Sequence, residues 1–124
     1  MSKEWKPETV FDVLASDVAR HILVAASDEP MSADELAEAC DTSLPTVYRR
    51  VDVLEEYDFL AADRVLDAKG NHYKTFETTL ERIAFDVDAE GFTVDTERRS
   101  GLIGRFEEFW TDLGESGTTT EGDE

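Results

Sequence analysis

The stretch from residue 42 to residue 51 combines hydroxyl and cationic side chains and holds no acid. Ser43 and Thr46 supply hydroxyl groups, and Arg49 and Arg50 supply guanidinium groups, all of which suit phosphate oxygens. The whole chain of 124 residues holds 30 acids against 12 lysines and arginines, a net charge of −18. A surface pressed against phosphate should lack acids even where the rest of the chain is acidic. This stretch is therefore the first candidate for a binding site.

The element that would carry this stretch is a helix from Ser43 to about Tyr57. Ser43 can cap it, and a proline in the first turn is typical of a helix start. Apolar residues recur at i, i+4 and i+7 and form one stripe: Val47, Val51 and Leu54. Tyr48 and Arg49 fall on another face, which the spacing turns outward.

Three further helices are predicted before it. The spacing of apolar residues favours a short helix over 5–14 and a second helix that Ser16 caps and that runs to about Ala26. Ser32-Ala33-Asp34-Glu35 has the pattern of a capping box, which opens a third helix over 36–40. A tight polar turn over 41–43 then joins the third helix to the fourth.

The second half of the chain changes to strand periodicity. Residues 64–67, 68–71 and 72–79 are predicted to be a strand, a turn and a strand, which together form a hairpin. Alternation over 83–87 and again over 92–94 predicts a second hairpin. Helical spacing returns at 98–113, and the rest is expected to be a disordered acidic tail. We therefore predict one α+β domain over 1–113 and a tail over 114–124.

Two helices joined by a turn of three or four residues are typical of a helix-turn-helix. Residues 41–60 resemble the recognition helix region of ArsR-type and MarR-type winged-helix regulators. The chain also resembles the small winged-helix regulators of halophilic archaea, well over 16–79 and loosely elsewhere. The resemblance implies a sequence-specific transcription regulator with double-stranded DNA as its partner. Helix 43–57 would read the major groove, and wing 64–79 would contact the flanking backbone or the minor groove.

Two features depart from that pattern. Asp58 stands where a glycine usually follows the helix, which is tolerable because Asp visits the left-handed conformation more readily than most residues. The paired cysteines of metal-sensing ArsR members are missing, since Cys40 is the one cysteine. Cys40 with His21 or His72 would make a poor site, so no metal and no cofactor is expected.

The resemblance assigns roles to individual residues. Ser43, Thr46 and the first helix amides are expected to face phosphate, Arg49 guanine or phosphate, and Arg50 the DNA backbone. Contacts to bases or thymine methyls are expected from Leu44, Pro45 and Tyr48. Wing contacts are expected from Lys69, Asn71, His72 and Lys74. The competing interpretations are surface arginines paired with Asp52, Glu55 or Glu56, a partly packed Tyr48, and a merely solvated hairpin turn.

The acidic composition is compatible with a DNA partner if the solvent is salty. Lysines number only four, and the acids are spread along the chain rather than gathered in a tail, as in a halophile's protein. At about 1 M salt the Debye length is about 3 Å, so distant carboxylates hardly repel a phosphate.

A two-fold homodimer is the natural use for the terminal helices, because half-sites one helical turn apart are read by dimers. The interface candidates are Phe11, Leu14, Leu102, Phe106, Phe109, Trp110 and Leu113. The alternative is that these residues close the monomer's own core. Arg98, Arg99 and Arg105 are expected either to pair with acids across the dimer or to reach flanking DNA.

Other function classes receive less support. No spacing typical of a catalytic triad, a phosphate loop or a metal site occurs, so no enzyme activity is expected. No long apolar run or secretory pattern occurs, and a lone cysteine fits a reducing compartment, so a cytoplasmic protein that binds no membrane is expected. The rival function is a winged-helix module that binds a protein of the transcription or replication machinery. The sequence does not indicate a small-molecule effector.

Overall fold

The computed structural model of the chain describes residues 5–99. In this part, four helices are followed by two antiparallel β-hairpins, and a short strand lies between the second and third helices. In chain order the elements are α1 (Pro7–Leu14), α2 (Asp17–Asp28), β1 (Met31–Ser32), α3 (Ala33–Ala39), α4 (Leu44–Glu56), β2 (Leu60–Leu66), β3 (His72–Thr78), β4 (Leu80–Asp88) and β5 (Gly91–Arg98). The predicted mixed α and β architecture is confirmed.

Serine caps define the starts of three helices, as the sequence predicts. The Ser16 hydroxyl accepts a hydrogen bond from the Ala19 amide at the start of α2. Ser32 and Glu35 form the reciprocal capping box of α3, in which each side chain accepts from the other residue's amide. Such caps satisfy amides that have no partner inside the helix. α1 begins at Pro7, two residues later than predicted, because proline fixes the backbone of a first turn.

The core lies where α2, α3 and α4 meet. Val47, Val51 and Leu54 are at most 1% exposed, so the predicted apolar stripe of α4 faces inward. They join Val10 of α1, Ile22 of α2 and Leu36 of α3 in one cluster. Since one side of α4 is committed to this cluster, its opposite side is turned to solvent.

A three-stranded sheet of order β1-β3-β2 adjoins the helices. Phe76 and Thr78 of β3 are buried, and the Thr78 hydroxyl donates to the Leu23 carbonyl of α2 at 2.7 Å. β2 begins at Leu60, four residues earlier than predicted, because the buried Leu60 pairs with Thr78 at the base of the hairpin. The base of the first hairpin is thus fixed to the helices, and its far end extends beyond them.

β4 and β5 form a separate two-stranded sheet, the predicted second hairpin. By alternation, one face carries Phe85 and Val94 and the other carries Arg82 and Glu97. Phe11 of α1 stacks on Phe85 with ring centroids 4.5 Å apart. The apolar face therefore packs toward the first helix.

The prediction of a helix beginning at Arg98 is wrong at its start. Arg98 is the last residue of β5 and pairs with Leu80 of β4. Its guanidinium lies 3.3 Å from the Asp58 carboxylate, and the Arg99 guanidinium donates to the Ser27 carbonyl at 2.9 Å. Both arginines contact their own chain, because the strand continues for longer than the alternation in the sequence indicates. The rest of the predicted helix, with Arg105, and the tail over 114–124 lie outside the described residues.

Candidate nucleic-acid interface

A turn of four residues, 40–43, joins α3 to α4. Asp41 adopts a left-handed backbone conformation with φ of 52°, and the Thr42 amide donates to the Ala37 carbonyl at 3.0 Å. Ser43 then caps α4 by accepting from the Thr46 amide at 3.3 Å. Two helices, this turn and the inward stripe of α4 together make a helix-turn-helix with the start of α4 at the surface.

The outer side of α4 presents the residues that the sequence singled out. Tyr48 is 50% exposed, Pro45 and Arg49 are exposed, and Leu44 and Arg50 are half-buried. Neither Tyr48 nor Arg49 belongs to the buried core. This side of α4 is therefore open to an external ligand.

Three polar side chains are connected along the same side of α4. The Ser43 hydroxyl donates to Thr46 Oγ1 at 2.9 Å, and Arg49 Nη2 donates to the same oxygen at 3.3 Å. Spacing by three residues brings these groups together on a helix surface. Ser43 therefore acts first as the cap, and Thr46 orients the guanidinium of Arg49 before any ligand arrives.

The cations of this surface have no carboxylate partners within residues 5–99. The salt bridges described there join Arg20 to Asp17, Arg82 to Glu97 and Arg98 to Asp58. None involves Arg49 or Arg50, so the alternative in which these two pair with acids of α4 is not seen in this part of the chain. Two arginines of α4 that have no acidic partner among residues 5–99 are available to an external anion.

The turn of the first hairpin is ordered by Asp67. Its carboxylate accepts hydrogen bonds from the amides of Lys69 and Asn71, each at 2.8 Å. These hydrogen bonds stabilise the carboxylate and lower the pKa of Asp67 from its ordinary value, and the bond from the Asn71 amide has the largest effect. Gly70 has φ of 86°, which favours glycine. The turn thereby holds Lys69, Asn71 and His72 exposed at the far end of the hairpin.

The register of the first hairpin adds one residue that sequence reasoning missed. Arg64 lies directly opposite Lys74, and both side chains are exposed. Residues 74, 76 and 78 share one face of β3, and the last two are buried against the helices, so Arg64 and Lys74 project on the helix side beyond the core. Like charges directly opposite each other destabilise a hairpin. The sequence does show one basic residue in each of the two strands. That these residues form a pair becomes evident only when the register of β2 against β3 is known.

The described residues hold no group of three metal-ligating side chains, and burial raises the pKa of the Cys40 thiol. Within this part of the chain, no helix has the length and apolar character needed to cross a membrane. The chemical groups that the outer side of α4 offers to a ligand are hydrogen-bond donors, guanidinium groups and the exposed ring of Tyr48.

Comparison with known proteins agrees with this geometry. The family model described as a helix-turn-helix domain matches residues 12–61, from within α1 to the start of β2. This segment is similar to that family and holds the two helices and the connecting turn of a helix-turn-helix. Together with the hairpin that follows it, the domain forms the winged helix-turn-helix arrangement that the sequence predicts.

Two solved structures are similar to the chain at low identity. One is a possible transcriptional regulator from Methanosarcina mazei Go1, with 20% identity, a TM-score of 0.48 and coverage of 61% of this chain and 68% of that one. The other is MepR of S. aureus in complex with DNA, with 20% identity, a TM-score of 0.43 and coverage of 58% of this chain and 62% of that one. No curated protein matches the chain.

Asp58, one of the two departures from the family pattern, is explained by the structure. It follows α4 with φ of 62°, so the predicted left-handed conformation is confirmed. Its carbonyl accepts from the Thr79 hydroxyl at 2.9 Å. The turn that links α4 to the first hairpin is therefore stabilised by a hydrogen bond from Thr79, the residue between β3 and β4. The similarity to regulators of halophilic archaea stays a prediction.

Proposed function

We propose that the chain is a transcription regulator that binds double-stranded DNA in a sequence-specific manner. α4 would lie in the major groove, and the first hairpin would act as a wing on the flanking backbone or the minor groove. The observation that carries the proposal is the set of cations on these two elements that have no acidic partner among residues 5–99. The match of residues 12–61 to the helix-turn-helix family supports it.

The roles of the residues follow from their positions. Arg49, oriented by Thr46, would read guanine or hold a phosphate, and Tyr48 would contact a base or a thymine methyl. The amides at the start of α4 favour a phosphate. On the wing, Arg64 and Lys74 would share one phosphate, which removes the cost of placing two cations opposite each other.

We further propose that binding takes place in concentrated salt. The net charge of −18 would repel DNA at low ionic strength. At about 1 M salt, screening within about 3 Å suppresses this long-range repulsion, while direct contacts persist. Affinity should therefore pass through a maximum as potassium salt is raised, instead of falling throughout.

A homodimer is part of the proposal, because two-fold symmetric operators are read by two copies of the helix. Of the candidate interface residues, the structure describes Phe11 and Leu14. Leu14 packs partly against the core, and Phe11 contacts the second hairpin of its own chain. Sedimentation at high salt measures whether two copies associate.

The decisive test is the selection of binding sites from random duplexes in high potassium salt, followed by affinity measurements with Arg49→Ala. Loss of a bidentate contact to a base costs about 1–3 kcal/mol, or roughly 5- to 150-fold in affinity, and should relax the preference at one position of the site. Arg82→Ala is the matched control, because Arg82 is paired with Glu97 away from α4. It should leave affinity unchanged.

Selection that enriches no sequence, with equal weak binding by the native chain and both variants, would overturn the proposal. Capture of a basic protein partner in the same salt would then favour the rival role as a protein-interaction module.

A further inference from the structure

An apolar surface on the second hairpin is left open by the described residues. It consists of Phe85 and Val87 on β4, Phe92 on β5, and Phe11 of α1, and we refer to it as the hairpin face. Phe11 stacks on Phe85 and meets Phe92 edge to face at 5.6 Å. Phe11 is nevertheless 40% exposed, Phe92 52% and Val87 69%. The end of the hairpin nearest its turn is the most exposed.

The size of the hairpin face argues against a second copy as its main cover. With aromatic side chains of 150–250 Å² each, the exposed fractions correspond to roughly 300 Å² of apolar surface. A stable interface between two proteins needs about 800 Å² from each partner. The hairpin face alone is too small for that, but it matches the stripe of a single amphipathic helix.

The chain leaves β5 at a position from which it can cover this surface. The Arg99 amide donates to the Thr79 carbonyl at 2.6 Å, which fixes the chain at the base of the hairpin. Only Ser100 and Gly101 separate Arg99 from Leu102, the first residue of the apolar pattern. A reversal at this glycine would direct the following residues back along the hairpin.

The lengths agree. As a helix, residues 102–113 would span about 18 Å at 1.5 Å per residue. β5 from Phe92 to Arg98 spans about 20 Å at 3.4 Å per residue. A helix antiparallel to β5 would therefore place Leu102 near the base and Leu113 near Val87 and Phe92. Its main stripe consists of Leu102, Phe106, Phe109 and Leu113.

We propose that the segment 102–113 of the same chain docks on the hairpin face as an amphipathic helix. The inference is independent of DNA binding. It assigns the main stripe to the monomer's own core. Ile103 and Trp110 lie about 90° and about 70° away from the centre of this stripe around the helix and are left for contacts between copies.

Cross-linking between Val87 and Leu113 tests both the site and the chain of origin. In a Cys40→Ala background, Val87→Cys with Leu113→Cys should form a disulfide under mild oxidation, in a product with the mass of one chain. The matched control replaces Val87→Cys by Asp86→Cys, one residue away on the opposite face of β4. Its yield should be at least tenfold lower.

Two results would overturn the proposal. Cross-links predominantly between two chains would assign the hairpin face to a second copy. Equal yields from the Val87 and Asp86 pairs, or none from either, would show that the segment does not dock there.

Hydrogen exchange of the full chain provides a second measurement that needs no cysteine. Phe106→Asp should speed the exchange of β4 and β5 amides at least tenfold and leave those of α2 and α4 unchanged. Thr111→Asp adds the same charge on the opposite side of the predicted helix, so it should change neither. Unaltered exchange in the Phe106 variant, or equal acceleration throughout the chain, would contradict docking on the hairpin face.

Discussion

Each of the two β-hairpins carries one directly opposed charge pair, and the two pairs are of opposite kinds. In the first, Arg64 lies across from Lys74, two exposed cations whose side chains form no salt bridge within residues 5–99. In the second, Arg82 lies across from Glu97, and the two side chains are 3.6 Å apart. The two charges of the second pair neutralise each other, whereas those of the first pair have no acidic partner in the part of the chain that the structure describes.

The hairpins also differ in how they are attached to the core. β3 is anchored by the buried Phe76 and by the hydrogen bond from Thr78 to α2. The second hairpin contacts α1 through aromatic rings that stay partly exposed. The difference is consistent with the proposal that the first hairpin, whose Arg64 and Lys74 have no acidic partner among residues 5–99, contacts an external anion.

The largest expected effect concerns this attachment. Phe76→Ala removes a side chain that is 3% exposed and should lower the free energy of unfolding by about 3–5 kcal/mol. Phe92→Ala, in the other hairpin, should cost about 1–2 kcal/mol because half of that ring is exposed. Urea unfolding in constant high salt measures both. Equal costs would mean that the two hairpins are anchored alike.

Lys74→Glu gives the wing the charge pattern of the second hairpin. The new pairing with Arg64 should raise the free energy of unfolding by about 0.2–1 kcal/mol. DNA affinity should fall about tenfold for all sequences. The slope of log affinity against log salt concentration should decrease by about one, as expected for the loss of one phosphate contact. Titration of labelled duplexes and thermal unfolding of the same samples check both signs. A variant that is more stable and binds DNA as well as the native chain would remove the wing from the interface.

The reverse exchange is Glu97→Lys, which places two cations across the second hairpin. It should lower the free energy of unfolding by about 0.2–1 kcal/mol and leave the preference for the selected DNA site unchanged. A gain in site-specific affinity would show that any exposed cation pair suffices, whatever its position relative to α4.

The smallest effect is the response of the wing turn to acid. Because the hydrogen bonds from Asn71 and Lys69 lower the pKa of Asp67, the folded turn favours the carboxylate form. Their stabilisation is present above the ordinary aspartate value and is lost as pH falls through the lowered pKa. The amide shifts of Lys69 and Asn71 should follow that titration together, and in Asp67→Asn they should not titrate. A midpoint at or above the ordinary value would contradict the hydrogen-bonded turn.

Local signals predicted the helical half of the molecule well. Ser16, Ser32 and Ser43 cap helices because a hydroxyl at that position satisfies free amides whatever surrounds it. The stripe of Val47, Val51 and Leu54 is buried because helical periodicity alone decides which residues share a face. The positions of Tyr48 and Arg49 at the surface follow from the same periodicity.

The strands were less predictable, because pairing depends on residues far apart in the chain. Arg64 gained its place in the candidate site from its register with Lys74, which no local pattern encodes. Arg98 is in β5 although helical spacing follows it, because Leu80 pairs with it across the hairpin. Its partner Asp58, likewise, is forty residues away in sequence.

The contact between Trp5 and Tyr57 gives the protein an optical probe of its own. The ring centroids are 4.5 Å apart, and Tyr57 is the C-cap residue that directly follows α4. Indole emission reports on the surroundings of its ring, so a shift of the end of α4 would alter the light that Trp5 emits. With Trp110→Phe, Trp5 is the one remaining tryptophan. Ligand binding at the start of α4 that shifts the other end of the helix can then be followed by fluorescence without a label.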